Sequence, residues 1–151
     1  MLKIAIFNLE DISKLQDTID CLAKIKEEII DAKIDLFIDK NNTQYLQNNP
    51  YINEIIPLDL NHINIFNFKS KYESVSYYSK NKYNIAVDTQ GSFKSAIFNY
   101  SLTGKTAGFN QKGFLNIFLS RLYDEQVKLI SQIEKKEKTK LLLSKTFGFE
   151  A

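Results

Sequence analysis

The sequence predicts an α/β domain built on a mostly parallel sheet with helices on both faces. Two observations carry this. Short apolar runs such as Ile4–Leu9 and Lys33–Asp39 are close to continuous, as in strands buried on both sides. Between them Leu15, Ile19, Leu22, Ile25 and Ile29 recur at the spacing of one helical face. Strands alternating with helices are joined by right-handed crossovers, which makes the strands parallel.

The elements follow in order. Ile4–Leu9 is the first strand and Lys14–Ile30 the first helix. Asp31-Ala32 turns the chain into a second strand, Lys33–Asp39. Asn41–Asn48 reads as a short helix, ended before Pro50 because a residue preceding proline avoids the helical region. Asn53–Leu58 is a third, shorter strand. Asn61–Ser70 mixes Asn with Ile and Phe without a clear period, and is expected to be a loop feeding a helix over Lys69–Lys80. Asn84–Asp88 is the fourth strand and Ser92–Ser101 a helix, with the Ser92 hydroxyl placed to accept from first-turn amides. Thr106–Asn110 is expected to be a fifth strand, Phe114–Leu122 helical or irregular, and Glu134–Lys145 a charged helix stopped at Gly148. The run Glu134-Lys135-Lys136-Glu137-Lys138 reads as a solvated helix face. The sheet therefore has about five strands or more.

At 151 residues the chain is long enough for one domain with its own core. A net charge of +2 argues against a dedicated nucleic-acid binder, which needs a concentrated basic face. Cys21, the single cysteine, falls on the apolar side of the first helix and reads as a small core residue in a reducing compartment. No stretch approaches the roughly 20 apolar residues that span a bilayer, and no cleavable leader is visible, so a cytoplasmic location is expected. No Walker motif and no Gly-x-Gly-x-x-Gly follows the first strand, so no nucleotide or other cofactor is expected here. His62, the only histidine, has no nearby acidic partner or cysteine pair, and no metal site is expected.

The most informative stretch is Tyr83-Asn84-Ile85-Ala86-Val87-Asp88-Thr89-Gln90-Gly91-Ser92-Phe93-Lys94-Ser95-Ala96. It reads as a buried strand, a tight turn with polar tips, and a helix start. Open α/β sheets bind ligands at the carboxyl ends of their strands, which makes Asp88 and Gln90 candidate binding residues. The alternative is that they bond only their own turn. Gly91 serves backbone geometry. Lys94 either meets an anion near the helix N-terminus or lies exposed.

This stretch resembles a motif of the bacterial lipopolysaccharide heptosyltransferases, glycosyltransferase family 9, in which a strand ends in Asp-x-Gln-Gly before a short apolar step and Lys-Ser-Ala. Other pieces are similar in the same order. Lys3-Ile4-Ala5-Ile6 looks like the family's first strand, and Asp31–Asp39 like its second helix–strand junction. Asn49-Pro50-Tyr51-Ile52-Asn53-Glu54-Ile55-Ile56-Pro57 is similar to its His-Pro-x-Val-Asp-x-Val-Ile-Pro stretch. The resemblance, of the heptosyltransferase I kind, implies a Rossmann-like three-layer sandwich forming one half of a GT-B fold. That half would bind the acceptor, the Kdo-containing inner core of lipopolysaccharide, presented on a lipid anchor at the inner face of the inner membrane. ADP-heptose would be held by a C-terminal domain. The match ends over Lys140–Phe149, so that donor domain is expected to be absent. The chain would then be a piece of a longer protein, the product of a split or decayed gene, or a stand-alone relative.

The resemblance also implies departures. The family places Ser-x-x-Gly-Asp after the first strand, and its Asp is the proposed general base, taking the acceptor hydroxyl's proton during attack. Aligned on Leu9, these positions hold Ser13 and Lys14, and a protonated lysine cannot act as a base. Asp11 and Asp17 are the nearby carboxylates that a shifted loop or the next helical turn would offer. The family's acceptor-binding arginine, a residue suited to carboxylate or phosphate, falls on Leu115, counting back from Ser120 and Tyr123. Lys112 is the cation close by. His62, Lys69 and Lys71 stand where the family carries a basic cluster. Phe66, Phe68, Tyr72, Tyr77 and Tyr78 either touch lipid or pack in the core.

Two functions are expected. One is heptosyl transfer from ADP-heptose to the inner core, dormant in this domain alone. Asp11 or Asp17 would be the base, and Asp88, Gln90, Lys94 and Lys112 would contact the acceptor. The other is a non-catalytic interaction protein derived from a glycosyltransferase. It would pair with itself or with a full-length transferase through the face that otherwise meets the donor domain.

Overall fold

The computed structural model describes residues 1–9, 12–46, 48–59, 66–102, 105–110, 121–129 and 137–150. Its strands are β1 (Lys3–Asn8), β2 (Lys33–Asp39), β3 (Glu54–Leu58), β4 (Ile85–Asp88), β5 (Lys105–Asn110) and β6 (Glu125–Lys128). Its α-helices are α1 (Ile12–Glu28), α2 (Phe68–Ser76), α3 (Phe93–Ser101) and α4 (Lys138–Phe147). The strands form a six-stranded sheet in the order β3-β2-β1-β4-β5-β6. Every pairing is parallel.

Strand alternation divides the core in two. Ile4 and Ile6 of β1 point to one face, where Leu15, Leu22 and Ile25 of α1 and Leu142 and Leu143 of α4 cover them. Cys21 is buried in the same layer. Ala5 and Phe7 point to the other face, where Val75 of α2 and Phe98 of α3 pack. Phe7 and Phe37 stack with ring centroids 4.5 Å apart, binding β1 to β2 through side chains as well as backbone. Each such fully buried large side chain contributes about 1.5–3 kcal/mol of transfer free energy. One charged residue interrupts the apolar run of β2. Asp35 is buried, and accepts from the Tyr83 hydroxyl and from Asn53 Nδ2, each at 2.7 Å.

The chain lays down β1, β2 and β3 outward, then returns to the other side of β1 for β4, β5 and β6. The segments leaving β1 and β4 therefore depart to opposite faces, α1 to one and α3 to the other. This reversal opens a crevice at the carboxyl ends of β1 and β4, the place where open sheets of this kind bind ligands.

Several elements differ from the sequence reading. The helix expected over Lys69–Lys80 stops at Ser76 and tightens into a 3₁₀ turn over Tyr77–Asn81, closed by Lys82 in the left-handed region at φ 54°. Asn41–Asn48 shortens to a 3₁₀ turn over Lys40–Tyr45, started by the Asp39 carboxylate accepting from Asn41 N at 2.9 Å. Six strands agree with the expected five or more, but the sequence reading assigned no residues to the sixth, because Glu-Gln-Val-Lys carries a single apolar residue, and only Val127 of it is buried. The Ser92 cap is present and reciprocal, with Ser95 completing a capping box. Gly148 ends α4 at φ 83°. Of the aromatic group, Phe68, Tyr72 and Tyr78 pack on the second core layer while Phe66 is 96 % and Tyr77 61 % exposed. His62, Leu115 and Ser120 lie outside the described residues.

Candidate functional site

The site is built around the turn that follows β4. Asp88 is fully buried at the strand's end. Its Oδ1 accepts from Gln90 N at 2.9 Å and Gly91 N at 3.0 Å, folding the chain back on itself. Gly91 sits at φ 72°, a conformation a side chain would strain. Its neighbour Ser92 then caps α3, accepting from Ser95 N at 3.1 Å. Thr89 fastens this turn to β1. Its amide and its hydroxyl both donate to Phe7 O, at 3.1 and 2.7 Å.

The second carboxylate oxygen of Asp88 accepts from the Tyr123 hydroxyl at 2.5 Å. Tyr123 is itself buried, and its ring lies flat against Gly108 of β5: a Cβ there would meet Tyr123 Cζ at 2.5 Å. Burial pushes the Asp88 carboxyl above the usual carboxylate range, against bonds from Tyr123, Gly91, Ser95 and Gln90 that favour the ion. Burial, then the charge of Asp88, pushes the Tyr123 phenol up. Asp88 is therefore a group that shapes the turn from beneath.

Gln90 stands at the tip of that turn, half-buried. Its backbone carbonyl accepts from Lys138 Nζ at 3.3 Å, and its side-chain Oε1 is buried without a hydrogen-bond partner. Lys138 is in the first turn of α4, with its ammonium 5.7 Å from the centre of the Phe109 ring. Across the crevice, Asn8 at the end of β1 is fully buried and donates to Thr18 Oγ1 at 2.7 Å and Lys14 O at 3.2 Å, which fixes the start of α1. The N-termini of α1, α3 and α4 all lie at this edge of the sheet, so their positive dipole ends face it together.

The structure thus joins Asp88 and Gln90 in one turn and leaves Lys94 exposed in the first turn of α3. Asp17 lies on the α1–α4 side, 3.9 Å from Lys140, whereas Asp88 faces the α3 side. Lys14 is exposed in the first turn of α1. Asp11 and Lys112 lie outside the described residues. Sequence reasoning missed Tyr123, Gly108 and Lys138 as parts of this site. Lys138 belongs to a charge run that looks solvated, and nothing local links Tyr123 to Asp88, 35 residues away. Among the described residues no cluster of His, Cys, Asp and Glu could hold a metal, and no helix is long and apolar enough to cross a membrane.

A parallel sheet of this strand order, with a polar turn at its switch point, defines a Rossmann-like domain of the kind paired in GT-B glycosyltransferases. In sequence, the chain is similar to lipopolysaccharide heptosyltransferase 1 of Campylobacter coli, with 27 % identity over 128 residues that cover 85 % of this chain and 36 % of that protein. In fold, it superposes on E. coli heptosyltransferase WaaC with ADP at a TM-score of 0.80, with 17 % identity, over 99 % of this chain and 48 % of that one. A glycosyl transferase family 9 structure from Veillonella parvula DSM 2008 gives a TM-score of 0.79 at 13 % identity, covering 99 % of this chain and 42 % of the other. Acinetobacter baumannii MurG gives 0.66 at 13 % identity, over 87 % and 42 %. No protein-family model matches the chain. The chain therefore resembles the N-terminal part of a lipopolysaccharide heptosyltransferase, and spans less than half the length of these relatives.

Proposed function

We propose that this domain is the acceptor-binding half of a heptosyltransferase-type glycosyltransferase, and that these 151 residues by themselves do not transfer sugar. The observation that carries the reading is the Asp88–Ser92 turn, held at the switch-point crevice with the Gln90 amide oxygen lacking a donor. An acceptor hydroxyl donating to that oxygen would be oriented for attack on the anomeric carbon of ADP-heptose, with ADP leaving and the proton passing to a base. Asp88 is not that base. Its oxygens are occupied by Gln90 N, Gly91 N and the Tyr123 hydroxyl, and it is closed off from solvent. Its part is to set the turn.

Lys14 at the position aligned with the family's base, and the Asp17–Lys140 pair, support an inactive isolated domain. Asp11 and Asp17 are the carboxylates to test as base once a donor half is present. Ile12 and Phe93 are the first residues of α1 and α3 and are 39 % and 47 % exposed, which supports closure by a second, donor-binding domain on that side. The acceptor on this reading is the Kdo-containing inner core of lipopolysaccharide, met at the inner face of the inner membrane.

The test is an NMR titration of the chain with a Kdo-containing core oligosaccharide. Amide shifts clustered over residues 88–95 and the start of α1 are expected. Unmoved amides at roughly millimolar ligand, about 4 kcal/mol of binding, would remove the acceptor reading.

A further inference from the structure

We infer that the amino edge of the sheet, opposite the crevice, carries a second binding site, for a small dipolar molecule bearing both an ammonium and a carboxylate, as a free amino acid does. The assignment stands apart from the acceptor reading and shares no residue with it.

The strands β1, β2 and β3 begin side by side with Lys3, Lys33 and Glu54. Lys3 pairs in register with Lys33, and Asp35 with Glu54. Side chains two apart on a strand share a face, so all four lie on the side that carries Ala5, Phe37 and Ile56. They form two rows, the lysines outermost and the carboxylates further in, about 6.6 Å apart at two residues of strand rise. A cavity of about 160 Å³ opens among them, lined also by Asn53 and Asn81. At about 10–15 Å³ for each water-sized sphere, it has room for roughly ten waters or one small solute.

The inner row holds the observation that points to a ligand. Asp35 is 5 % exposed, and its oxygens accept from Asn53 Nδ2 and the Tyr83 hydroxyl. Asn81 Nδ2 in turn donates to the Tyr83 oxygen at 3.0 Å and fixes the phenol. These donors are neutral, and among the described residues no cation pairs with Asp35. A buried carboxylate is ordinarily paired, because burying its charge alone is costly. Its oxygens can each accept a further bond, and Glu54 stands beside it on β3. An ammonium arriving in the cavity supplies the missing charge. In the outer row, Lys3 Nζ donates to Asn81 O at 2.9 Å, a carbonyl that orients the ammonium and leaves its charge whole. Lys33 is exposed beside it. Two neighbouring ammoniums select a carboxylate.

Ligands of one sign satisfy only half of this arrangement. A bare anion is repelled by Asp35 and Glu54, and a bare cation, a metal ion included, by Lys3 and Lys33. A molecule with a charge of each sign a few ångströms apart places each against its opposite row.

The experiment is an NMR titration of the whole chain, at fixed ionic strength and neutral pH, with glycine, β-alanine, acetate and methylammonium. Glycine or β-alanine should shift amides over residues 33–35, 53–54 and 81–84, and should bind about tenfold tighter than acetate or methylammonium. Lys33→Met and Glu54→Gln, both at exposed positions, should each weaken the tighter amino acid about tenfold. Lys128→Met, exposed at the far end of β6, should leave it unchanged. Thermal unfolding checks that each variant is folded; if Lys33→Met is not, Lys33→Gln is read in its place. Acetate or methylammonium binding as tightly as the amino acids would overturn the dipolar assignment. So would folded variants that bind as wild type does. Amides unmoved by either amino acid at tens of millimolar would remove the site, and would leave the acceptor reading untouched.

Discussion

Tyr123 and Asp88 meet hydroxyl to carboxylate at 2.5 Å inside the protein, and the meeting is possible because residue 108 has no side chain. The phenol reaches the end of β4 only by lying on the bare backbone of β5. One contact thus links three stretches of chain, and each makes a distinct prediction.

Tyr123→Phe keeps the ring and removes the donor. Asp88 Oδ2 is then left without its partner in a fully buried position. The expected loss is about 1–3 kcal/mol of stability, read by urea denaturation. A loss below about 0.5 kcal/mol, the level of an ordinary surface change, would mean the bond is not formed in solution.

Gly108→Ala places a methyl group 2.5 Å from Tyr123 Cζ, where something must move. Overpacking of this sort costs about 1–3 kcal/mol. The same change in a Tyr123→Ala background should be nearly neutral, because the ring it collides with is gone. A double-mutant cycle measured by chemical denaturation separates this from a general intolerance of alanine in β5.

The raised pKa of Asp88 predicts the pH profile. A carboxyl that titrates higher in the folded than in the unfolded chain holds its proton longer when folded. Its contribution to stability is fully present below the unfolded value, about 3.9, and is lost as pH rises through the folded value. Asp88→Asn can keep the two amide bonds on its oxygen and donate to Tyr123 from its nitrogen. The stability of wild type minus that of Asp88→Asn should therefore fall as pH rises from about 4, in melts compared across pH. A difference that grows with pH would reverse the assignment.

Cys21 should be inert in the native state. It is buried in α1, and burial pushes its thiol up to about 11. A thiolate is the reactive form, so a chromogenic disulfide reagent at neutral pH should label it only on unfolding. Labelling at the rate of a free thiol would show that α1 opens on its own.

Much of the scaffold is legible in the residues, because continuous apolar strands and a strongly amphipathic α1 each carry their own period. Lys33–Asp39 is a strand with the expected limits, and Ser92 caps α3 by its own chemistry. The elements that were misread are those whose shape is set elsewhere. β6 has too little apolar character to announce itself and is a strand because β5 offers it an edge. The break after Ser76 is associated with Asn81, whose carbonyl accepts from Lys3 Nζ at 2.9 Å and whose side chain donates to Tyr83 at 3.0 Å. At the site, Asp88, Gln90 and Gly91 are readable as a local turn. Tyr123, Gly108 and Lys138 arrive from distant positions, and no window of sequence shows that they converge.

The two hydrogen bonds that Thr89 donates to Phe7 O have a kinetic consequence. They join positions 82 residues apart, so the crevice is a seam between two remote lengths of chain and not a loop that forms by itself. Pairs of such separation carry a large closure entropy and form late. The binding edge should come into being in the last step of folding, after β1 and β2 have already zipped. A ligand that recognises the seam would then act on unfolding more than on refolding: it should lengthen the lifetime of the native chain by the factor 1 + [L]/Kd, while leaving the early rate of collapse unchanged.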